Sequence, residues 1–197
     1  SSQSSLAIEN DTRSLEQVTD VIDGNRVLGP QDDILAVKNA FEVYKILPEL
    51  APFSLNDLKK AHGIMMNGLI DGAGVLRTKS VGVISESGKV IHVAPPHNMV
   101  SVLMSQLFDW LRTSKTHMLI RSSVFHYDFE FIHPFADGNG RMGRFWQTVL
   151  LASWKPIFEW IPVESIIKDN QDEYYRAIGL STAEGKSNRF ILFMLGV

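Results

Sequence analysis

The chain has no cysteine, which excludes disulfides and thiolate-based metal sites and fits a reducing compartment, so a cytoplasmic location is expected. No run of eighteen apolar residues occurs, so no membrane span is expected either. Neither sign of charge dominates: 19 Lys and Arg face 22 Asp and Glu, a net charge of -3, which leaves no electrostatic footprint for nucleic acid. The opening residues, SSQSSLAIEN, lack an initiator methionine, a basic segment and an apolar stretch, and read as the start of a trimmed or excerpted chain. What is present is enough for a real core. At 197 residues and 45% hydrophobic content, one domain with a small appendage is expected.

Periodicity places that domain at 31–197, behind a polar arm at 1–30 punctuated by Gly, Asp and Asn. The arm has short helical possibilities at about 4–11 and 14–22. Ile34, Val37, Phe41, Tyr44 and Leu47 follow the helical period, opened by Asp32 and Asp33 and closed by Pro48. Leu55, Leu58, Met65 and Leu69 continue the theme after a Ser54/Asp57 capping pattern, and Gly72 to Gly74 end it. Val81–Ile84 and Val90–Val93 are rich in β-branched residues and flank a turn containing Gly88, which reads as a hairpin stopped by Pro95 and Pro96. Asn98 is expected to cap the next helix, carrying Val100, Leu103, Leu107 and Leu111. His117 to Ile132 is apolar almost all round, as a central buried helix should be. Another helix runs from the glycines near 138 to Trp154, and two or three short ones fill Val163 to Val197. The fold class is all-α, a helical bundle with one β-hairpin, and the hairpin must pack on the helices to persist.

One segment carries chemistry. His133 to Arg144, HPFADGNGRMGR, joins a histidine, a carboxylate, a glycine-framed asparagine and two arginines in a loop and helix start. Gly138, Asn139 and Gly140 can expose backbone N–H groups together, and a helix beginning there favours an anion through its unpaired amides and dipole. Arg141 and Arg144, three residues apart, can reach one ligand from one face. Asp137 is placed to hold a hard divalent cation shared with phosphate oxygens. Among these groups only His133 takes a proton near neutral pH. His126, seven residues earlier, raises the option of a two-histidine metal site, but no suitably spaced carboxylate completes a ligand set and packing is the better account. Phe125, Phe129, Phe135, Phe145 and Trp146 are most simply core.

The segment matches the HPFxDGNGRxxR signature of the Fic family at every fixed position: His133, Pro134, Phe135, Asp137, Gly138, Asn139, Gly140, Arg141 and Arg144. From about Ile34 onward the helical pattern, the hairpin before Pro95 and Pro96, the DEYYRAI run at Asp172 to Ile178 and the closing FILFML at Phe190 to Leu195 resemble Fic proteins as well. The resemblance implies a Fic-fold bundle that transfers AMP from ATP to a Ser, Thr or Tyr hydroxyl of a target protein. It implies His133 as general base, Asp137 as the Mg²⁺ ligand, and Gly138, Asn139, Gly140, Arg141 and Arg144 as the phosphate site. It further implies Tyr174 and Tyr175 near adenine and ribose, although helical spacing keeps the two from both facing inward. The hairpin at 81–93 resembles the family's flap, which docks the target protein as an added strand, with His92 and Val93 as nucleotide or target contacts.

Ser5-Leu6-Ala7-Ile8-Glu9-Asn10 resembles the family's inhibitory [ST]xxxE[GN] motif, with Ser5 and Asn10 at its other fixed positions, which implies that Glu9 pairs with Arg144. Two other readings stay open on this fold: removal of AMP from a modified protein with Glu9 steering water, and a catalytically silent interaction module. Homo-oligomerisation is also open. Many relatives with this tail have an SD pair and a GDS run where Ser181-Thr182 and Gly185-Lys186-Ser187 stand here.

Overall fold

The computed structural model describes residues 19–20, 22–23, 30–84, 90–161 and 163–197, with 82–84 and 90–92 described by their backbone alone. Among these residues there are eight α-helices, six of them around one buried pair. They are α1 (Gln31–Lys45), α2 (Leu55–Met65), α3 (His97–Thr113), α4 (Met118–Ile132), α5 (Asn139–Trp154), α6 (Val163–Asp169), α7 (Gln171–Glu184) and α8 (Asn188–Gly196). Between α2 and α3, β1 (Gly82–Ile84) pairs antiparallel with β2 (Val90–Val93), in the register Gly82 to Val93, Val83 to His92 and Ile84 to Val90, with an irregularity between Val83 and Ile84. The turn at 85–89 lies outside the described residues. No described helix is long and apolar enough to cross a membrane.

α4 and α5 pair most extensively with each other, and α3 and α8 also pack on α4 while α2 and α6 flank α5. This arrangement follows from composition. Phe125, Phe129, Phe145 and Trp146 on the two helices are completely buried, together with Phe135 in the loop between them. Each large apolar side chain so buried contributes about 1.5–3 kcal/mol against exposure. The single polar atom of the Trp146 ring is accommodated by donating to the Pro52 carbonyl at 3.2 Å. α4 starts where expected because His117 caps it, its Nδ1 accepting from the Leu119 amide.

Four local expectations are corrected. The buried face of α1 is Val37, Ala40 and Val43, with Phe41 and Tyr44 only partly covered, because the small residues let α1 lie closer to its neighbours. α2 ends at Met65 instead of continuing through Leu69, since Gly68 sits at φ +72, a left-handed conformation that a helix cannot include. α3 begins at His97 directly after Pro96 with no side-chain cap, so Asn98 lies inside its first turn. Tyr174 lies inside the core, as described below, because the Asp172 to Ile178 run turns that face of α7 toward α4. Ser54 does cap α2, its hydroxyl oxygen accepting from the Asp57 amide at 3.1 Å. Of the arm, Thr19, Asp20 and Ile22 are helical, and Ile22 packs against Val37 and Ala40. The helix expected at about 4–11 lies outside the described residues.

Candidate active site

The end of one buried helix faces the start of another, and the signature loop spans the gap. His133 closes α4 in the left-handed region, φ 51 and ψ 62, while its N–H donates to the Phe129 carbonyl at 2.9 Å. A side chain there costs about 1–2 kcal/mol, so the surroundings must hold it. Gly138 opens α5 at φ +79, and the first intrahelical bond runs from the Met142 amide to the Gly138 carbonyl at 2.9 Å. A Cβ on Gly138 would meet Met66 Sδ at 2.6 Å, so glycine is required both by conformation and by space.

Asn139 is the clamp of this loop. Its Nδ2 donates to the Phe135 carbonyl and its Oδ1 accepts from the Phe135 amide, both at 2.9 Å. With both ends of the amide held by Phe135 and the residue buried, the Asn139 side chain fixes the turn while its backbone N–H belongs to the helix start. The α5 amides that follow Gly138 have no partner within the helix, which is the usual condition of a helix start and the basis of its anion preference.

The Asp137 side chain is 63% exposed. Its Oδ1 accepts from the Gly138 amide at 2.6 Å and its Oδ2 stands 3.9 Å from the Arg141 guanidinium. The Asp137 carbonyl is held from behind by His62. The His62 Nδ1 accepts from the Gly74 amide at 2.8 Å, which leaves Nε2–H to donate to Asp137 O at 2.9 Å. Burial lowers the His62 pKa, partly countered by the bond to Asp137; the net direction matches the neutral tautomer that the Gly74 bond requires. The ring also stacks flat on Phe135, with centroids 3.6 Å apart.

Arg77 is the largest support that sequence reasoning missed. It is only 5% exposed, and its guanidinium donates to His133 O (2.7 Å), Ile132 O (3.2 Å), Lys79 O (2.9 Å) and Pro95 O (2.6 Å). Its own N–H adds Pro134 O at 2.9 Å. Arg77 lies in an aperiodic linker that carries no local signal. His62 sits on the apolar stripe of α2 with Leu58 and Met65, and a histidine in that stripe was a signal available to be read.

Arg141 and Arg144 are both largely withdrawn from solvent, Arg144 at 1% exposure. The Arg141 Nε is buried with no hydrogen-bond partner among the described residues. A buried donor left in that condition is fitted to an acceptor such as a phosphate oxygen. Among the described residues no group of three His, Asp or Glu could hold a metal. One exposed carboxylate beside an anion site nevertheless suits magnesium, which keeps waters and takes one or two carboxylates plus phosphate oxygens.

The remaining expected site residues are dispersed. Val93 is 73% exposed at the end of β2, and His92 is paired through its backbone with Val83. Tyr175 is half-exposed, but Tyr174 is buried with its hydroxyl bonded to His126 Nε2 at 2.9 Å. The Ser181-Thr182 departure also has a structural use: Ser181 Oγ accepts from the Phe190 amide at 3.0 Å and Thr182 Oγ1 lies 3.3 Å from Tyr127 Oη, joining α7 to α8 and α4. Ser5, Glu9 and Asn10 lie outside the described residues.

A helical domain that presents a histidine, a carboxylate and a helix start from one clamped loop is the class defined by these features. The Fic/DOC family profile matches residues 52–151, and the chain belongs to that family. The crystal structure of a Fic family protein from Desulfovibrio desulfuricans G20 superposes with a TM-score of 0.94 at 48% identity, over 98% of this chain and 59% of that one. Protein adenylyltransferase Fic of Drosophila willistoni is 27% identical over 96% of this chain. Fic-1 from C. elegans shares the fold, with a TM-score of 0.79 at 20% identity, over 98% of this chain and 57% of that one. The chain spans 38% of the length of the Drosophila protein.

Proposed function

We propose that this domain transfers AMP from ATP to a Ser, Thr or Tyr hydroxyl of a target protein, releasing pyrophosphate. The observation that carries the reading is the single clamped loop, in which His133, Asp137, the α5 N-terminus and Arg141 are set within a few residues by Asn139, His62 and Arg77. The name of the Drosophila relative, protein adenylyltransferase, supports it. In this reading His133 takes the proton of the target hydroxyl as its oxygen attacks the α-phosphorus. The bond from that phosphorus to the β-phosphate oxygen breaks, and AMP stays on the target. Arg141, Arg144 and the amides of Gly138, Asn139 and Gly140 hold the phosphates so that the leaving group points away from the incoming oxygen. Asp137 would hold Mg²⁺, which supplies neutralisation of charge on the phosphate oxygens. The target segment adds to the strand pair at 81–93. Tyr175 and Val93, both exposed, are the candidate nucleotide and target contacts in this reading, whereas Tyr174 is buried.

The arm at 1–30 serves as a restraint in this reading, with Glu9 engaging Arg144 so that ATP binds in a non-reactive pose. Incubation with α-labelled ATP, Mg²⁺ and a cell lysate should give labelled bands that strengthen in Glu9→Gly and vanish in His133→Ala. Release of AMP from a pre-modified protein, lost in Glu9→Gly, would replace transfer with removal as the function. Neither labelling nor release would leave a silent module.

A further inference from the structure

We propose that Arg77 is a positioning residue that holds His133 and the base of the strand pair as one unit, and so sets the distance between a hydroxyl docked on the strands and its base. The inference rests on the transferase reading for its consequence, but the coupling itself can be tested without activity. Arg77 reaches three consecutive carbonyls around the left-handed turn, those of Ile132, His133 and Pro134, the first and second through its guanidinium and the third through its backbone N–H. The remaining bonds go to Lys79 O and Pro95 O, which bracket the segment containing β1 and β2 on either side.

No other side-chain type can do this. Arginine presents five N–H groups in a planar fork, whereas a lysine ammonium has three donors on one atom and cannot span acceptors that lie on opposite sides. The position also suits a cation. Ile132 ends α4, so its carbonyl belongs to the unsatisfied, negative end of the helix dipole. Burial lowers the Arg77 pKa from its ordinary value, and an arginine guanidinium keeps its charge in proteins. Charge and geometry together strap the left-handed His133 backbone to the two ends of the strand pair. Without the strap, strands and base would each keep their own contacts but lose a common reference.

The test uses the full chain in the Glu9→Gly background, comparing the parent with Arg77→Lys. Four quantities are read: the thermal midpoint, calorimetric affinity for ATP with Mg²⁺, the rate of label transfer from α-labelled ATP into the same lysate band, and amide hydrogen exchange at 82–84 and 90–93. The expected result is a loss of about 100-fold in transfer rate, as for a roughly 1 Å misplacement of reacting groups. Exchange across the strands should accelerate by about 10-fold or more, with ATP affinity kept within about twofold. Unchanged exchange overturns the coupling. ATP affinity falling in step with the rate also overturns it, since that is what a general scaffold residue would do.

If the lysine variant folds poorly, Arg77→Ala with guanidinium ion added back decides. Recovery of slow strand exchange with guanidinium, and not with ammonium at equal ionic strength, supports the strap. Failure of both variants to fold overturns a specific positioning role. A parent that labels nothing sinks the transferase reading, while the exchange comparison still decides the coupling.

Discussion

Two histidines on one helix have opposite fates. His126 lies in the middle of α4, completely buried, with Nδ1 bonded to Gln147 and Nε2 to Tyr174. Burial drives its pKa down to about 4, opposed by the Gln147 bond and reinforced by the nearby Arg144 charge. His133 stands seven residues later, at the end of the same helix and in the left-handed region, where its backbone is bound from both directions. The two rings are the same chemically. What separates them is that a mid-helix position surrounded by α5 and α7 fixes the His126 ring between two side chains, whereas His133 is fixed at the helix end through its main chain.

The largest expected effect that breaks or sustains this contrast is on rate. His133→Ala should lower AMP transfer by about 10²- to 10⁴-fold, the range for a general base, with little change in thermal midpoint. His126→Ala should instead lower stability, by about 1–3 kcal/mol in urea unfolding, and the thermal midpoint with it, because the Gln147 and Tyr174 polar groups lose a buried partner. An exchange of those two outcomes would overturn the assignment of roles.

The pH dependence is the next sharpest probe. His126 has a folded pKa of about 4 against an ordinary 6.5, so its neutral form stabilises the fold fully above pH 6.5 and that stability is lost as pH falls toward 4. The difference is worth about 3 kcal/mol. Glu164 acts with the opposite sign. Burial raises its carboxyl from 4.5 to about 7, so the folded state holds an extra proton in that interval and stability falls as pH rises from 4.5 to 7. The two slopes oppose each other between about pH 4.5 and 6.5, giving a flatter profile than either group alone. Glu164→Gln should therefore stabilise the protein at pH 8 by about 3 kcal/mol relative to its effect at pH 4, and steepen the rise between pH 4.5 and 6.5. Chemical unfolding at spaced pH values would show it; a variant curve parallel to the parent's would refute it.

Smaller effects separate support from chemistry. Gly138→Ala should cost about 1–2 kcal/mol through its positive φ, with Met66 forced to shift, and should weaken ATP binding in calorimetry because the α5 amides move with it. Ser54→Ala removes a helix cap far from the loop in function, costing about 1 kcal/mol with transfer per folded molecule unchanged.

Much of the site was legible because it is local. A loop and a helix start of twelve residues bring His133, Asp137 and the arginines together whatever the rest of the chain does, and α5 begins at Asn139 and ends at Trp154 where its glycines and Pro156 imply. The role of Asn139 was only half legible: its membership of the loop was evident, but its side chain closes the turn on Phe135 instead of facing a ligand. The same holds for the tyrosine pair. Helical spacing kept the two from both facing inward, and only packing against His126 and Phe190 turned Tyr174 into the core. The shifted face of α1 and the early end of α2 at Gly68 are similar cases, where close packing and one backbone conformation override periodicity.

The sequence by itself determined the candidate site groups and their order along the loop, since contacts within a turn or two of backbone follow from residue type and spacing. The supports were decided only by the tertiary fold: Arg77 meets His133 across 56 positions and His62 meets Asp137 across 75. Hydrogen bonds of that reach have no periodicity to betray them, because they exist only after buried helices have brought distant carbonyls within three ångströms of a donor that must satisfy them.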